Sequence, residues 1–521
     1  MQELKLVKEL AFGDNARSKV LAGVNKLTQA VGSTLGASGK CVILEDQNGK
    51  PVITKDGVTV ANSITLQDPL ENIGAVLIRE AARKTVKEAG DGTTTATVLA
   101  KAILDQANEH SLIDDVRSIK DGINLAVKKV VQYLESNSSL VKGETIKQVA
   151  TISANNDEEL GKLISDAFVS VDETGVVIME THDEPETIVE KVEGVQYEKG
   201  IVNKHFITDK EKAVAELDNP CVLIVESKIE NIRKIQGVLE YVIKNNKSLL
   251  IIADVETQVL TALAMNKVKG NIKVNIIDAP TYGINKRDTL DDLAVLTGAT
   301  LINEDLGDDM DLIQPEHLGT CIKATTSAND TVIQIKEIPK EVKGLIKDIK
   351  SKIKKSSNPN YNLGLEKRLA RLLAKIAIIK VGANSEVELK EKKDRVEDAI
   401  CATKAAIKEG IVPGGGIALL NASTNLEPKS VGEEVLYQAI KKPYELILSN
   451  AGVSNYEDPT EDGKGLNVVT GQYVDMVKSG IIDPLLVTKS ALTNAASVAT
   501  TILSTDCVIN NVRLWKQLAS T

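Results

Sequence analysis

Aromatic side chains are scarce in this 521-residue chain: Phe, Tyr and Trp together make up 2%, and Trp515 is the sole tryptophan. Recognition of single strands by base stacking needs aromatic platforms, so that class of function is disfavoured. Cysteine is equally thin. Cys41, Cys221, Cys321, Cys401 and Cys507 lie far apart, are odd in number and include no Cys-x-x-Cys pair. That argues against a disulfide framework and a thiolate zinc site, and suits a reducing compartment. The four histidines, His110, His182, His205 and His317, are scattered too. Neither a histidine metal cluster nor a Ser-His-Asp order is visible. No apolar run reaches the ~20 residues of a membrane span. The opening Met1-Gln2-Glu3-Leu4-Lys5 has neither an apolar targeting core nor an Arg-rich presequence. A cytoplasmic location is therefore expected, with organellar matrix or a viral origin as alternatives. Lys and Arg (63) are outnumbered by Asp and Glu (73), for a net charge of −10. That balance argues against general nucleic-acid or membrane binding and leaves room only for a local basic patch.

What is present is the profile of a globular protein, 42% hydrophobic and 26% charged. At roughly 150 residues per domain the length suggests about three domains. The first third reads as helices. Val20, Leu21, Val24, Leu27 and Val31 recur at helical spacing, and the breakers from Thr34 to Gly39 end that helix. Two apolar runs around Asn48-Gly49 predict a hairpin. Helices are predicted over Leu70 to Ala89 and from Gly92 onward. In the centre, Val176–Ile178, Val222–Val225, Leu249–Ile252 and Val274–Ile277 read as strands. They alternate with helices over Ile229–Ile243 and Thr257–Met265, which predicts an α/β domain with parallel strands. Two basic amphipathic helices follow, Val342–Ile353 and Leu363–Ile379. From Arg395 the pattern returns to helices and glycine turns, so a middle domain inserted into a discontinuous base fits the pattern.

The strongest local feature is Gly90-Asp91-Gly92-Thr93-Thr94-Thr95-Ala96-Thr97. A helix N-terminus offers unpaired N–H groups to phosphate, threonine hydroxyls add donors, and Asp91 is placed to hold Mg²⁺ beside those oxygens. Read alone, the segment fits a capped helix equally well. It is not the Gly-x-x-x-x-Gly-Lys-Ser/Thr loop. Lys55-Asp56-Gly57 follows a strand and reads as a plain turn or as a carboxylate aimed at water. Gly414-Gly415-Gly416 permits close approach of a ligand or ends a helix. Asp398, taken alone, is a solvated helix carboxylate, and Asp483-Pro484 a cap. Together these glycine loops and separated carboxylates suit a Mg-nucleotide site assembled from both ends of the chain. A small-molecule kinase would use similar loops, but no second substrate motif accompanies them.

With that segment, the chain resembles the group I chaperonins, the bacterial and mitochondrial sixty-kilodalton heat-shock class. The resemblance extends in order through Phe12–Arg17, Thr54–Val58, Thr151–Asn155, Val387–Lys393, Arg395–Ala399 and Gly414–Gly416. It implies a multidomain α+β and α/β chaperonin fold. A mostly helical equatorial ATPase domain would span 1–136 and 410–521, a small intermediate domain 137–193 and 378–409, and an α/β apical domain 194–377. It implies an ATP-dependent chaperonin that binds non-native proteins in a ring cavity, a homo-oligomer of seven subunits in one or two rings, and a small lid co-chaperonin. ATP and Mg²⁺ are the implied cofactors, with K⁺ as a further candidate.

Residue by residue, the resemblance puts Thr34, Leu35, Gly36, Ala37, Lys55, Gly57, Gly92, Thr93, Thr94, Thr95, Ile152, Ser153, Gly415, Asn467 and Asp483 on the nucleotide. It gives Asp91 to Mg²⁺, and Asp56 and Asp398 to hydrolysis, with Asp398 arriving as the intermediate domain closes. Client proteins would meet Ile201, His205, Phe206, Leu239, Leu260, Leu263, Ala264 and Met265. There are departures: Ala37 where the family has Pro, Leu466-Asn467-Val468 where it has Tyr-Asn-Ala, and Ala374-Lys375 in place of a hinge Gly-Gly pair. His205, Gln236 and Ala264 stand where more apolar residues are usual. The usual Gly-Gly-Met-rich tail does not follow Leu518-Ala519-Ser520-Thr521. Nucleotide affinity, apical motion and cavity floor are expected to differ accordingly.

Overall fold

A computed structural model describes residues 8–45, 49–110, 115–141, 143–154, 157–171, 176–182, 184–197, 199–210, 213–279, 284–304, 307–337, 339–355, 365, 368–369, 372 and 375–511. Ala374, Trp515 and the C-terminal residues named above lie outside them. The chain forms two compact units. The first comprises residues 1–165, 183–185 and 381–521; the second comprises 166–182 and 186–380.

The first unit is mainly helical and its core draws on both ends of the chain. Helices Gly13–Gly32, Pro69–Ala89, Thr93–His110, Val116–Ser136, Val431–Ala439 and Leu485–Leu503 contribute Leu27, Ile78, Leu99, Ile103, Ile123, Leu436 and Leu492 to one cluster. The local sequence explains the boundaries. Asp68 caps Pro69–Ala89 by accepting from the N–H groups of Leu70 and Glu71, Pro69 occupies the first turn, and Gly90 closes the helix in a left-handed conformation. The two ends meet directly, since Lys8–Phe12 pairs antiparallel with Cys507–Asn511. The predicted hairpin is present: Val42–Glu45 pairs antiparallel with Pro51–Thr54, with Ile43 opposite Ile53.

The second unit is built on two sheets. In one, Leu301–Ile302, Cys221–Val225, Ser248–Ile252 and Lys273–Ile277 run parallel in that order, and Gly319–Thr320 joins antiparallel. Cys221–Val225 and Ser248–Ile252 are buried at every position, as strands covered on both faces must be. The other sheet has six strands, ordered Val176–Thr181, Lys375–Val381, Ile188–Tyr197, Thr331–Ile335, Lys323–Thr326 and Ala215–Asp218.

This corrects the helix expected over Leu363–Ile379. Its described N-terminal part is helical, but Lys375–Val381 is a strand. Ile376, Ala377, Ile378 and Ile379 are all buried between two neighbouring strands. A strand buried on both faces loses the alternation that separates it from a buried helix.

Candidate functional site

A cavity of about 900 Å³ opens in the first unit. One side is the loop after Gly13–Gly32. The Thr34 hydroxyl donates to the Val31 carbonyl at 2.8 Å. The Asn450 side-chain amide donates to the carbonyls of Gly32 (3.0 Å) and Leu35 (2.9 Å), which pins the loop from the far end of the sequence. Beside it, Asp56 caps the helix Gly57–Ser63. Its carboxylate accepts from the Val58 N–H (2.9 Å), the Thr59 N–H (2.7 Å) and the Thr59 hydroxyl (2.6 Å).

The segment Gly90–Thr95 supplies the floor. Gly90 and Gly92 have φ of +78° and +94°, conformations costly to any residue with a Cβ. They turn the chain so that Thr93–His110 starts at the cavity, with its first-turn N–H groups available to phosphate oxygens. The Gly92 N–H donates to the Asp91 carboxylate. The hydroxyls of Thr34 and Thr94 approach to 3.4 Å, so these two segments meet.

The helix Glu386–Glu409 carries Asp398 to the cavity. From the other end of the chain come Gly415, with φ of +65°, and an apolar patch of Tyr444, Ile447, Leu466, Val468 and Met476. Asn467 lies among them and is already engaged: its side-chain oxygen accepts from the Val469 N–H at 2.9 Å. Asp483 completes the lining.

Carboxylates dominate the electrostatics. Burial, then the charges of Asp91 and Asp56, hold the Asp398 carboxyl well above the usual range. Burial and then Asp56 raise Asp91, against the opposing Gly92 N–H. Asp483 is pushed up to about 7 by burial and by Asp91. Carboxyls crowded in this way need a cation to stay ionised together. Among the described residues no three His, Cys, Asp or Glu side chains form a metal cage. A metal here would therefore share its ligands with a bound anion, as Mg²⁺ does in holding one or two carboxylates together with phosphates.

Every residue expected to touch nucleotide, metal or water lines this one cavity: Thr34, Leu35, Gly36, Ala37, Lys55, Asp56, Gly57, Asp91, Gly92, Thr93, Thr94, Thr95, Ile152, Ser153, Asp398, Gly415, Asn467 and Asp483. The pattern defining the TCP-1/cpn60 chaperonin family matches residues 27–513. The chain belongs to the chaperonins.

Solved structures agree at the level of fold. Chaperonin gp146 from bacteriophage EL 2 (Pseudomonas aeruginosa), crystallised in the presence of ATP-BeFx, superimposes with a TM-score of 0.74 at 22% identity. That match covers 98% of this chain and 100% of the other. A second crystal form of gp146 gives 0.65 at 22% identity, over 97% and 99% of the two chains. As a member of the chaperonin family, the chain is an ATP-dependent folding chaperonin that hydrolyses ATP, acts on client proteins and assembles as a ring.

The chaperonin's expected client face needs correction. Phe206, Leu239, Leu263 and Ala264 are buried in the core of the second unit. The reason is helical geometry: Val238, Leu239 and Val242 form the inward stripe of Gln236–Lys244, and Val259, Leu263 and Ala264 that of Thr257–Val268. Ile201 and Leu260 are half-buried, while His205 and Met265 are exposed. Met265 and Val268, three residues apart on one helix, expose 54% and 61% of their surface. The Lys267 ammonium donates to the Ile207 carbonyl at 2.6 Å and ties the turn Lys204–Phe206 to that helix.

Residue-by-residue comparison missed part of the cavity wall. Glu144, Lys147, Gln148 and Thr151 line it from the helix Glu144–Ser153. Their spacing of three, four and seven marks one face and was a usable signal. Asp394 was also missed, because it falls between the matching stretches Val387–Lys393 and Arg395–Ala399. It sits one turn before Asp398, and burial followed by Asp56 pushes it up to about 6. No apparent sequence signal marked Tyr444 or Ile447.

Proposed function

We propose that this cavity binds ATP with Mg²⁺ and hydrolyses it to drive a folding cycle. The observation that carries the proposal is the convergence of all the expected nucleotide, metal and catalytic residues on one cavity. Gly92, Thr93, Thr94 and Thr95 present backbone N–H and hydroxyl donors to the phosphates. Thr34, Leu35, Gly36 and Ala37 cover them, with Lys55, Gly57, Ile152 and Ser153 alongside. The base lies over Gly415 against Ile447, Leu466 and Val468, beside Asn467, and Asp483 accepts from the ribose. Asp91 holds Mg²⁺, which when bound neutralises phosphate charge; K⁺ is a candidate second ion. Asp398 orients the attacking water and takes its proton; burial and the neighbouring carboxylates raise its proton affinity. Asp56, locked by three hydrogen bonds, gives that water a second fixed acceptor. Movement of Glu386–Glu409 makes hydrolysis conditional on conformation.

The finer architecture is proposed on the same reading: three domains, with 137–193 and 378–409 as the intermediate one, and a group I ring of seven subunits, single or double, working with a small lid. Exposed apolar surface supports the ring. Ile43 and Ile53 face each other across the hairpin at 71% and 67% exposure, while Leu10, Phe12 and Ile509 are more than half exposed on the sheet joining the chain ends. Soluble proteins rarely leave such patches uncovered. Clients meet Ile201, His205, Leu260 and Met265, with Val268 added to that face. The free thiols of all five cysteines support a reducing compartment such as the cytoplasm.

Asp398→Ala tests the site. Steady-state hydrolysis is expected to fall by about 10²- to 10⁴-fold, while calorimetric Mg-ATP binding survives. Equal turnover in the two proteins would overturn the role of Asp398. Chelation with EDTA should abolish hydrolysis; unchanged turnover would remove Mg²⁺ from the proposal.

A further inference from the structure

The helix Lys340–Lys355 in the second unit buries its apolar face. Val342 and Ile349 are 0% and 2% exposed, and Leu345 and Ile346 pack against the same cluster. On another face, Lys340, Lys343, Lys347 and Lys350 recur at intervals of three and four, and all are exposed. They form a stripe about 15 Å long, at 1.5 Å rise per residue.

None of the four pairs with a carboxylate among the described residues. The neighbouring helix Ile284–Thr297 is acidic, but its carboxylates are committed elsewhere. Arg368 holds Asp292 at 2.6 Å and Asp288 at 3.0 Å, and Arg287 stands 3.8 Å from Asp291. Nor does the stripe serve the helix that carries it. Lys340 opens the helix, where a positive charge opposes the macrodipole. Lys343 and Lys347 repel each other four residues apart. In a chain of net charge −10, a run of uncompensated lysines that works against its own helix points to an outside partner.

We infer that this lysine stripe is a docking surface for an acidic, Asp/Glu-rich segment of a partner protein. Carboxylates one helical turn apart on such a segment match the spacing of the lysines. Nucleic acid fits less well. Lysines are point charges without the bidentate fork of arginine, the helix has no aromatic residue for a base to stack on, and the acidic chain repels a long polyanion. The inference is independent of the nucleotide site.

The test uses the full-length assembled protein and a fluorescein-labelled poly-glutamate peptide, followed by fluorescence anisotropy, with a single-stranded oligonucleotide of equal charge as the second probe. The peptide is expected to bind and to be released by added KCl. Lys343→Gln, Lys347→Gln and Lys350→Gln combined should weaken binding about tenfold, as three screened charge pairs of about 0.5 kcal/mol each would give. The corresponding triple arginine variant should retain binding. Circular dichroism and a thermal melt matching wild type report that both variants fold, the stripe lying in the second unit and the proposed ATP cavity in the first. Peptide affinity indifferent to the glutamine variant, or tighter binding of the oligonucleotide to the same stripe, would overturn the inference.

Discussion

Asp394 shows how a single side chain can be set by its surroundings. Asp56 acts on it from the cap of Gly57–Ser63, while Lys390, Lys393 and Glu397 act from its own helix. Burial and Asp56 outweigh the two lysines, so the folded chain keeps this proton to about pH 6, against an ordinary value of 3.8. Between those limits the folded state binds more protons than the unfolded one. The group's contribution to stability is therefore complete below about pH 4 and is lost as pH rises towards 6. Asp394→Asn removes that loss. Relative to wild type, the variant should gain about 1 kcal/mol between pH 4 and 7, after allowance for solvent screening of a half-exposed group. Thermal melts without nucleotide across this range measure the difference, and a pH-independent offset would show that burial and Asp56 do not raise the proton affinity of Asp394.

At the scale of elements, Gly90 joins the turn proposed to bind phosphate to the helix of Asp398. A Cβ at Gly90 would lie 2.4 Å from the Cβ of Cys401, one turn from Asp398 on Glu386–Glu409. Gly90→Ala meets both that overlap and a left-handed backbone, so it should destabilise by roughly 2–4 kcal/mol. Hydrolysis should fall more than nucleotide affinity, because the displaced element carries Asp398, the proposed base. Calorimetry with and without nucleotide checks both, and a stability within ~0.5 kcal/mol of wild type would show no such packing. The turn was legible in the sequence because glycine chemistry is local: Gly90, Gly92 and Asn48-Gly49 each mark a turn. The residues that line the cavity came from the ordered resemblance to the group I chaperonins, because Asp56, Asp91 and Asp398 read singly fit a turn, a cap and a solvated helix carboxylate. The strand Lys375–Val381 was not legible, since burial on both faces erased its period. Leu239, Leu263 and Ala264 were placed on the client face because an apolar residue on an amphipathic helix looks alike in sequence whether it faces a client or its own sheet. Only packing separates Leu263, at 2% exposure, from Met265 at 54%.

For the whole molecule, the question is what covers the apolar surface that one subunit leaves open. A two-stranded hairpin is marginal by itself, yet its second strand, Pro51–Thr54, leads directly to Asp56, a residue of the proposed hydrolytic site. If Ile43 and Ile53 are buried by a neighbouring subunit, ring assembly steadies this hairpin and, through it, Asp56. Burying two isoleucines contributes roughly 3–6 kcal/mol per contact, enough for their loss to decide assembly at micromolar protein. Ile43→Lys with Ile53→Lys should therefore leave the subunit folded, since both positions face solvent in the monomer. It should shift native mass spectra from rings to monomers and lower hydrolysis in parallel. Hydrolysis at the wild-type rate in a monomeric variant would uncouple Asp56 from assembly, and rings that persist in the double variant would move the subunit contact to another surface.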